Sequence, residues 1–107
     1  MFVLLDNGAP RGIARQLVGH MVEECRAYGW DRLSNGELLT AAEVTGFDVF
    51  ITTDKNVRYQ QNLVGRKIAV VVLGKARWHL IKPRLAEIAA AVNAATPGSY
   101  SEVEIPG

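Results

Sequence analysis

Three uninterrupted apolar runs recur along the chain: Phe2-Val3-Leu4-Leu5, Val49-Phe50-Ile51 and Ile68-Ala69-Val70-Val71-Val72-Leu73. Runs without polar alternation suit strands covered on both faces, as in parallel sheets. The third is the strongest, β-branched and unbroken from Lys67 to the Gly74 that ends it. Between the runs the spacing turns helical. Asn7-Gly8-Ala9-Pro10 is turn chemistry, and Pro10 suits the first turn of a helix. Residues 10–19 then predict a short helix, with Ile13, Leu17 and Val18 inward, Arg11 and Arg15 outward, and Gly19 as terminator. Met21 to Tyr28 is ambiguous; Val22 and Cys25 allow a modest second strand. Gly29 to Leu33 reads as a loop. Ser34 with Glu37 three residues on is a capping box. Leu38, Leu39, Ala42 and Val44 form the stripe of the helix it opens, and Gly46 ends that helix. The central strand follows over residues 48–53.

Residues 57–64 read as a short polar helix or turn carrying Gln60-Gln61-Asn62. Leu80 to Ala95 predicts an Ala-rich amphipathic helix with Leu80, Ile81, Leu85, Ile88, Ala89 and Val92 on one face and Pro83 in its first turn. Thr96-Pro97-Gly98-Ser99 breaks the chain. The tail alternates weakly, Val103 and Ile105 against Tyr100, Glu102 and Glu104. An edge strand, a partner contact and a disordered segment all stay open for it. The alternation of strands and helices predicts an α/β fold: a mostly parallel sheet of four or five strands with helices on both faces. The expected organisation is a domain over residues 1–95 and a C-terminal tail over 96–107.

Length and composition narrow the classes. At 107 residues the chain is one domain with enough length for a real core. No apolar run is long enough to span a membrane. The opening Met1 to Asp6 has no basic region and meets a carboxylate at once, unlike a signal peptide. The lone Cys25 excludes an internal disulfide and a Cys-based zinc site. A cytoplasmic location is expected. Net charge is only +1, but it is unevenly divided: residues 55–84 carry eight cations and no anion, whereas residues 1–54 carry eight anions and four cations. Such asymmetry suggests an anionic partner, unless folding spreads the cations over ordinary solvated faces.

The candidate chemistry gathers at strand ends. Asp6 closes the first run, and Asp54 closes the central strand after Thr52-Thr53. If those strands are parallel neighbours, both carboxylates face one crevice, where ligands of α/β sheets bind. Glu37 opens the helix that leads into the central strand, and Asn56 follows Asp54 by two. Three carboxylates and an amide are hard oxygen ligands of the kind Mg²⁺ or Mn²⁺ takes. A divalent ion there can activate water and steady charge developing on a phosphodiester. Capping alone also explains Glu37 and Asn56, and turn chemistry explains Asp6.

These residues carry a resemblance. Leu4-Leu5-Asp6 with Pro10, Asn35-Gly36-Glu37-Leu38-Leu39, Phe47-Asp48-Val49-Phe50-Ile51-Thr52-Thr53-Asp54-Lys55-Asn56, Tyr59-Gln60-Gln61-Asn62-Leu63 and Ile68 to Leu73 together resemble the small bacterial PIN-like proteins, relatives of PIN-domain ribonucleases such as the VapC-type toxins. The likeness runs over roughly residues 2–92. It implies a three-layer α/β/α PIN-like fold and a metal-dependent endoribonuclease using Mg²⁺ or Mn²⁺. It implies Asp6, Glu37 and Asp54 as catalytic and metal-binding residues, with Asn56 as a further metal ligand. A toxin–antitoxin pairing, a cognate antitoxin protein and a homodimer belong to the same expectation. Two positions depart from the pattern: Asn7 and Asn56 stand where many relatives carry acids. An amide lowers the charge of the site, so the alternative is a catalytically weak or inactive PIN-like module that binds nucleic acid or a partner protein. For RNA, Lys55, Arg11, Lys75 and Arg77 would neutralise phosphates and Trp78 would stack on a base; Trp78 packed under the last helix is the competing reading. His79 lacks the neighbours of a metal ligand, and His20 reads as a loop residue. A receiver-like phosphoacceptor domain fits loosely through Asp54 and Lys75. It lacks the acidic pair after the first strand, and the chain is expected to be short of one strand–helix unit.

Overall fold

The structure, a computed structural model, describes residues 1–57 and 62–107. The three apolar runs form β1 (Phe2–Leu5), β3 (Val49–Thr52) and β4 (Ala69–Leu73). The ambiguous stretch supplies β2 (Met21–Glu24), followed by a 3-10 turn over Cys25–Tyr28. Of the three outcomes left open for the tail, the edge strand is realised as β5 (Tyr100–Val103). The five strands form one sheet in the order β2-β1-β3-β4-β5, and every pairing is parallel. The chain therefore reverses direction across the sheet between β1 and β3. This is the switch point at which a doubly wound sheet opens its ligand crevice.

Burial on both faces explains the unbroken apolar runs. One face carries Val3, Leu5, Val49, Ile51, Val71 and Leu73 against α1 (Gly12–Gln16), α3 (Trp78–Ile81) and α4 (Leu85–Ala94). The other carries Leu4, Phe50, Val70 and Val72 against α2 (Asn35–Thr45), through Leu38, Leu39 and Ala42. Two helical layers enclose the sheet, so the fold is three-layer α/β/α with a parallel centre. Val103 and Ile105 of the tail are buried in the first of these cores.

Three expectations are corrected. The helix expected over residues 10–19 covers only Gly12–Gln16, and Val18, expected inward, is 88% exposed because the helix has ended before it. Val44, expected on the stripe of α2, is 85% exposed: its position falls off the face that Leu38, Leu39 and Ala42 share. The helix expected from Leu80 to Ala95 starts two residues earlier and is broken into α3, a 3-10 turn over Lys82–Arg84, and α4. Pro83 supplies no backbone N–H, so it sits in the junction and not in the first turn of one continuous helix. The helix or turn expected over 57–64 falls largely on residues 58–61, outside the described residues.

Candidate functional site

Parallel register fixes the geometry at the carboxyl edge of the sheet. Leu5 pairs with Ile51, and the Asp6 amide donates to the Ile51 carbonyl at 2.9 Å. Asp6 thus stands beside Thr52, at the switch point. Thr52 is the only buried polar residue among the described ones. Its hydroxyl donates to Asp6 Oδ2 at 2.7 Å and accepts from the Asp54 amide at 3.1 Å. A buried hydroxyl can persist because both roles are filled, and filling them ties the end of β1 to the end of β3. Asp6 Oδ1 accepts from the Asn7 amide at 2.9 Å, and Asp54 Oδ1 from the Asn56 amide at 2.9 Å. The loops after the two strands also press together: a Cβ on Gly8 would lie 2.8 Å from Thr53 Oγ1, so a side chain there would displace Thr53.

The third segment arrives through a different residue from the one expected. Asn35, in the first turn of α2, donates its side-chain amide to Asp54 Oδ2 at 3.1 Å. Glu37 is engaged elsewhere: its Oε1 accepts from the Ser34 hydroxyl at 2.8 Å and from the Ser34 amide at 3.2 Å. Those hydrogen bonds, the hydroxyl first, hold its carboxyl below the ordinary value of 4.5. The structure therefore brings together Asp6, Thr52, Asp54 and Asn35, and places Glu37 in the capping box of the adjoining helix. Asn56 lends its backbone amide to Asp54, and its side chain lies exposed. Thr52 was legible in part, as a polar residue closing an apolar run, whereas Asn35 stood out only as the first residue of the Asn35-Gly36-Glu37 block, with no site role assigned to it.

The donor chemistry fits a hard divalent cation. Two carboxylates stand at adjacent strand ends, and Asn7 Oδ1, one residue from Asp6, is the only buried side-chain polar atom without a hydrogen-bond partner among the described residues. Asn7 is held from its other end, where Nδ2 donates to the Asp31 carbonyl at 3.5 Å. The hydrogen bonds link two of the three expected carboxylates, Asp6 and Asp54, and no group of three His, Cys, Asp or Glu side chains is placed to hold an ion among the described residues.

The cations of residues 55–84 separate in the fold. Arg66 pairs with Glu43, whose other oxygen accepts from the Lys67 amide at 2.6 Å, at the opposite edge of the sheet from Asp6. Arg84 pairs with Glu87. Lys55 lines a cleft of about 360 Å³ with Glu102 and Glu104, beyond the ends of β4 and β5. Lys75 and Arg77 are exposed in the loop after β4. Trp78 and Lys82 instead join Arg11 and Arg15 of the α1 segment along a groove of about 550 Å³. Trp78 is also packed against the core, so the indole is partly buried, as the competing reading had it.

Fold and site together define a doubly wound α/β protein with two carboxylates, Asp6 and Asp54, linked through Thr52 at the switch point. No family model matches the chain, and no curated protein or solved structure is significantly similar to it. Among the described residues no helix is long and apolar enough to cross a membrane.

Proposed function

We propose that the chain is a PIN-like, Mg²⁺- or Mn²⁺-dependent endoribonuclease whose centre is built on Asp6 and Asp54. The observation that carries this reading is the Thr52 hydroxyl, which holds the two carboxylate-bearing strand ends in one hydrogen-bonded unit. Asp6 and Asp54 would hold the ion, with the oxygen of Asn7 beside them. A bound divalent ion supplies an activated water and stabilises charge on the phosphodiester. Asn35 orients Asp54 through its amide, and Thr52 positions both acids. The test is cleavage of a labelled single-stranded RNA by the purified chain. Cleavage should require Mg²⁺ or Mn²⁺, stop in EDTA and disappear in Asp54→Asn. Full activity in that variant removes Asp54 from the chemistry.

One set of observations favours the second reading, a PIN-like module that binds RNA or a partner protein, such as an antitoxin, with little or no turnover. Glu37 is committed to Ser34, and amides occupy positions 7 and 56. On that reading RNA binds without metal and survives intact. Stoichiometric Mn²⁺ binding that Asp6→Asn abolishes counts against it. Self-association into a homodimer is read by sedimentation.

A further inference from the structure

The groove between α1 and α3 lies outside the acidic unit, and it brings together Arg11 and Trp78, two of the five residues expected to meet RNA. Its walls are Arg11, Gly12, Arg15 and Gln16 on one side and Trp78 and Lys82 on the other. The indole lies directly on α1: a Cβ added to Gly12 would fall 2.5 Å from the Trp78 ring. The glycine therefore allows the aromatic ring to lie against the helix. Arg11 is drawn to Glu24 at 3.1 Å. Arg15 and Lys82 form no ion pair among the described residues and are exposed. Both chain segments enter the groove from the carboxyl edge of the sheet, since α1 follows β1 and α3 follows β4. That is also the edge at which Asp6 and Asp54 stand.

We infer that this groove is a seat for single-stranded RNA, with a base stacked on Trp78 and the flanking phosphates held by Arg15 and Lys82. The inference rests on the reading of the chain as a protein that acts on RNA; the groove adds where the strand lies. Charge and shape fit together. An aromatic platform beside cations is how single strands are held without base-specific contacts. Two cations and a groove open to solvent suit a continuous polyanion; no carboxylate lines the groove, and Glu24 is paired with Arg11. Lys75 and Arg77 lie outside the groove walls and take no part.

The experiment uses the full chain in EDTA, so that binding is read without cleavage. The chain has two tryptophans, so a Trp30→Phe background leaves Trp78 as the only indole; phenylalanine preserves an aromatic ring against Tyr28 and Phe47. Titration with a labelled oligouridylate should quench Trp78 fluorescence and raise the anisotropy of the label in parallel. Arg15→Ala with Lys82→Ala should weaken binding about tenfold at low salt. It should also flatten the slope of log K against log salt by about 1.4, the share of two phosphate contacts on a single strand. Lys75→Ala with Arg77→Ala should change neither quantity beyond a small uniform loss. Absence of quenching, or equal losses in the two double variants, overturns the groove. Polyglutamate bound as tightly as RNA with no quenching also overturns it and assigns the groove to an acidic protein. RNA bound with quenching but left uncut in Mn²⁺ keeps the groove and removes the nuclease reading. Metal-dependent cleavage with binding unchanged in Arg15→Ala/Lys82→Ala does the reverse.

Discussion

Thr52 is the residue on which the site depends most. Its hydroxyl is fully buried, donates once and accepts once, and has no water to fall back on. Thr52→Val keeps the volume and removes the hydroxyl, leaving the Asp54 amide and one Asp6 oxygen without this partner. The expected cost is about 1–3 kcal/mol of stability in urea unfolding, together, under the nuclease proposal, with loss of RNA cleavage. Thr52→Ser should recover most of the cleavage. Cys25 makes the opposite case, of a reactive group held inert. Burial first, and then the Asp6 carboxylate, push its thiol up to about 12, so it stays neutral at physiological pH. A disulfide reagent should label it only as fast as the protein unfolds; rapid labelling of the native chain would contradict its burial. Glu37 carries the clearest pH signature. Its folded pKa is lowered, so its contribution is full above the ordinary glutamate value of 4.5 and is lost as pH falls through the folded value. Glu37→Gln should flatten that acid limb of the stability profile.

At the scale of elements, the capping box and the last strand do the most. Ser34→Ala removes the hydroxyl that serves both the Glu37 amide and the Glu37 carboxylate, and should cost about 0.5–2 kcal/mol. The same change frees Glu37, so any gain in metal affinity would show that the capping box withholds a ligand. The tail is structural: β5 pairs along β4, and Ile105 is buried in the core beyond it. Ile105→Ala should therefore cost about 2–5 kcal/mol by thermal or urea unfolding, which a dispensable tail would not. The elements that could be read from the chain are those whose cause is local. The apolar runs of β1, β3 and β4 reflect burial on both faces, and Ser34 with Glu37 and Gly46 bounds α2 within one residue. Pro83 was visible too, but the choice between a first-turn proline and a junction depended on where α3 packs. Val18 and Val44 misled because single apolar side chains are common on surfaces.

For the whole molecule, the sheet order was beyond the sequence, because pairing β1 with β3 and β4 with β5 is set by contacts far apart in the chain. That order is what brings Asp6 and Asp54 to one switch point. The sheet has five strands, whereas the chain was expected to fall one strand–helix unit short of a receiver-like domain; Asn7 still follows Asp6 where that chemistry wants a second acid, and likeness of fold alone assigns no activity. The cation run was legible as charge and not as surface: folding sends Arg66 to Glu43 and Lys55 to the Glu102 and Glu104 cleft, and leaves Lys82 to join Arg15 of α1 along a groove with Trp78. Glu37 was legible both as an acid near the site and as a capping residue, and the three-dimensional contacts show its Oε1 in the capping box with Ser34.

On the proposed reading Asp6 and Asp54, joined through Thr52, form a divalent-metal centre. Titration of the purified chain with Mn²⁺, followed by the loss of the free-ion paramagnetic resonance signal, addresses it directly. The account predicts saturable binding of Mn²⁺, weakened at least tenfold in Asp6→Asn and in Asp54→Asn and little changed in Lys75→Ala. Mn²⁺ binding that is absent in the native chain, or unaltered in both aspartate variants, would contradict it.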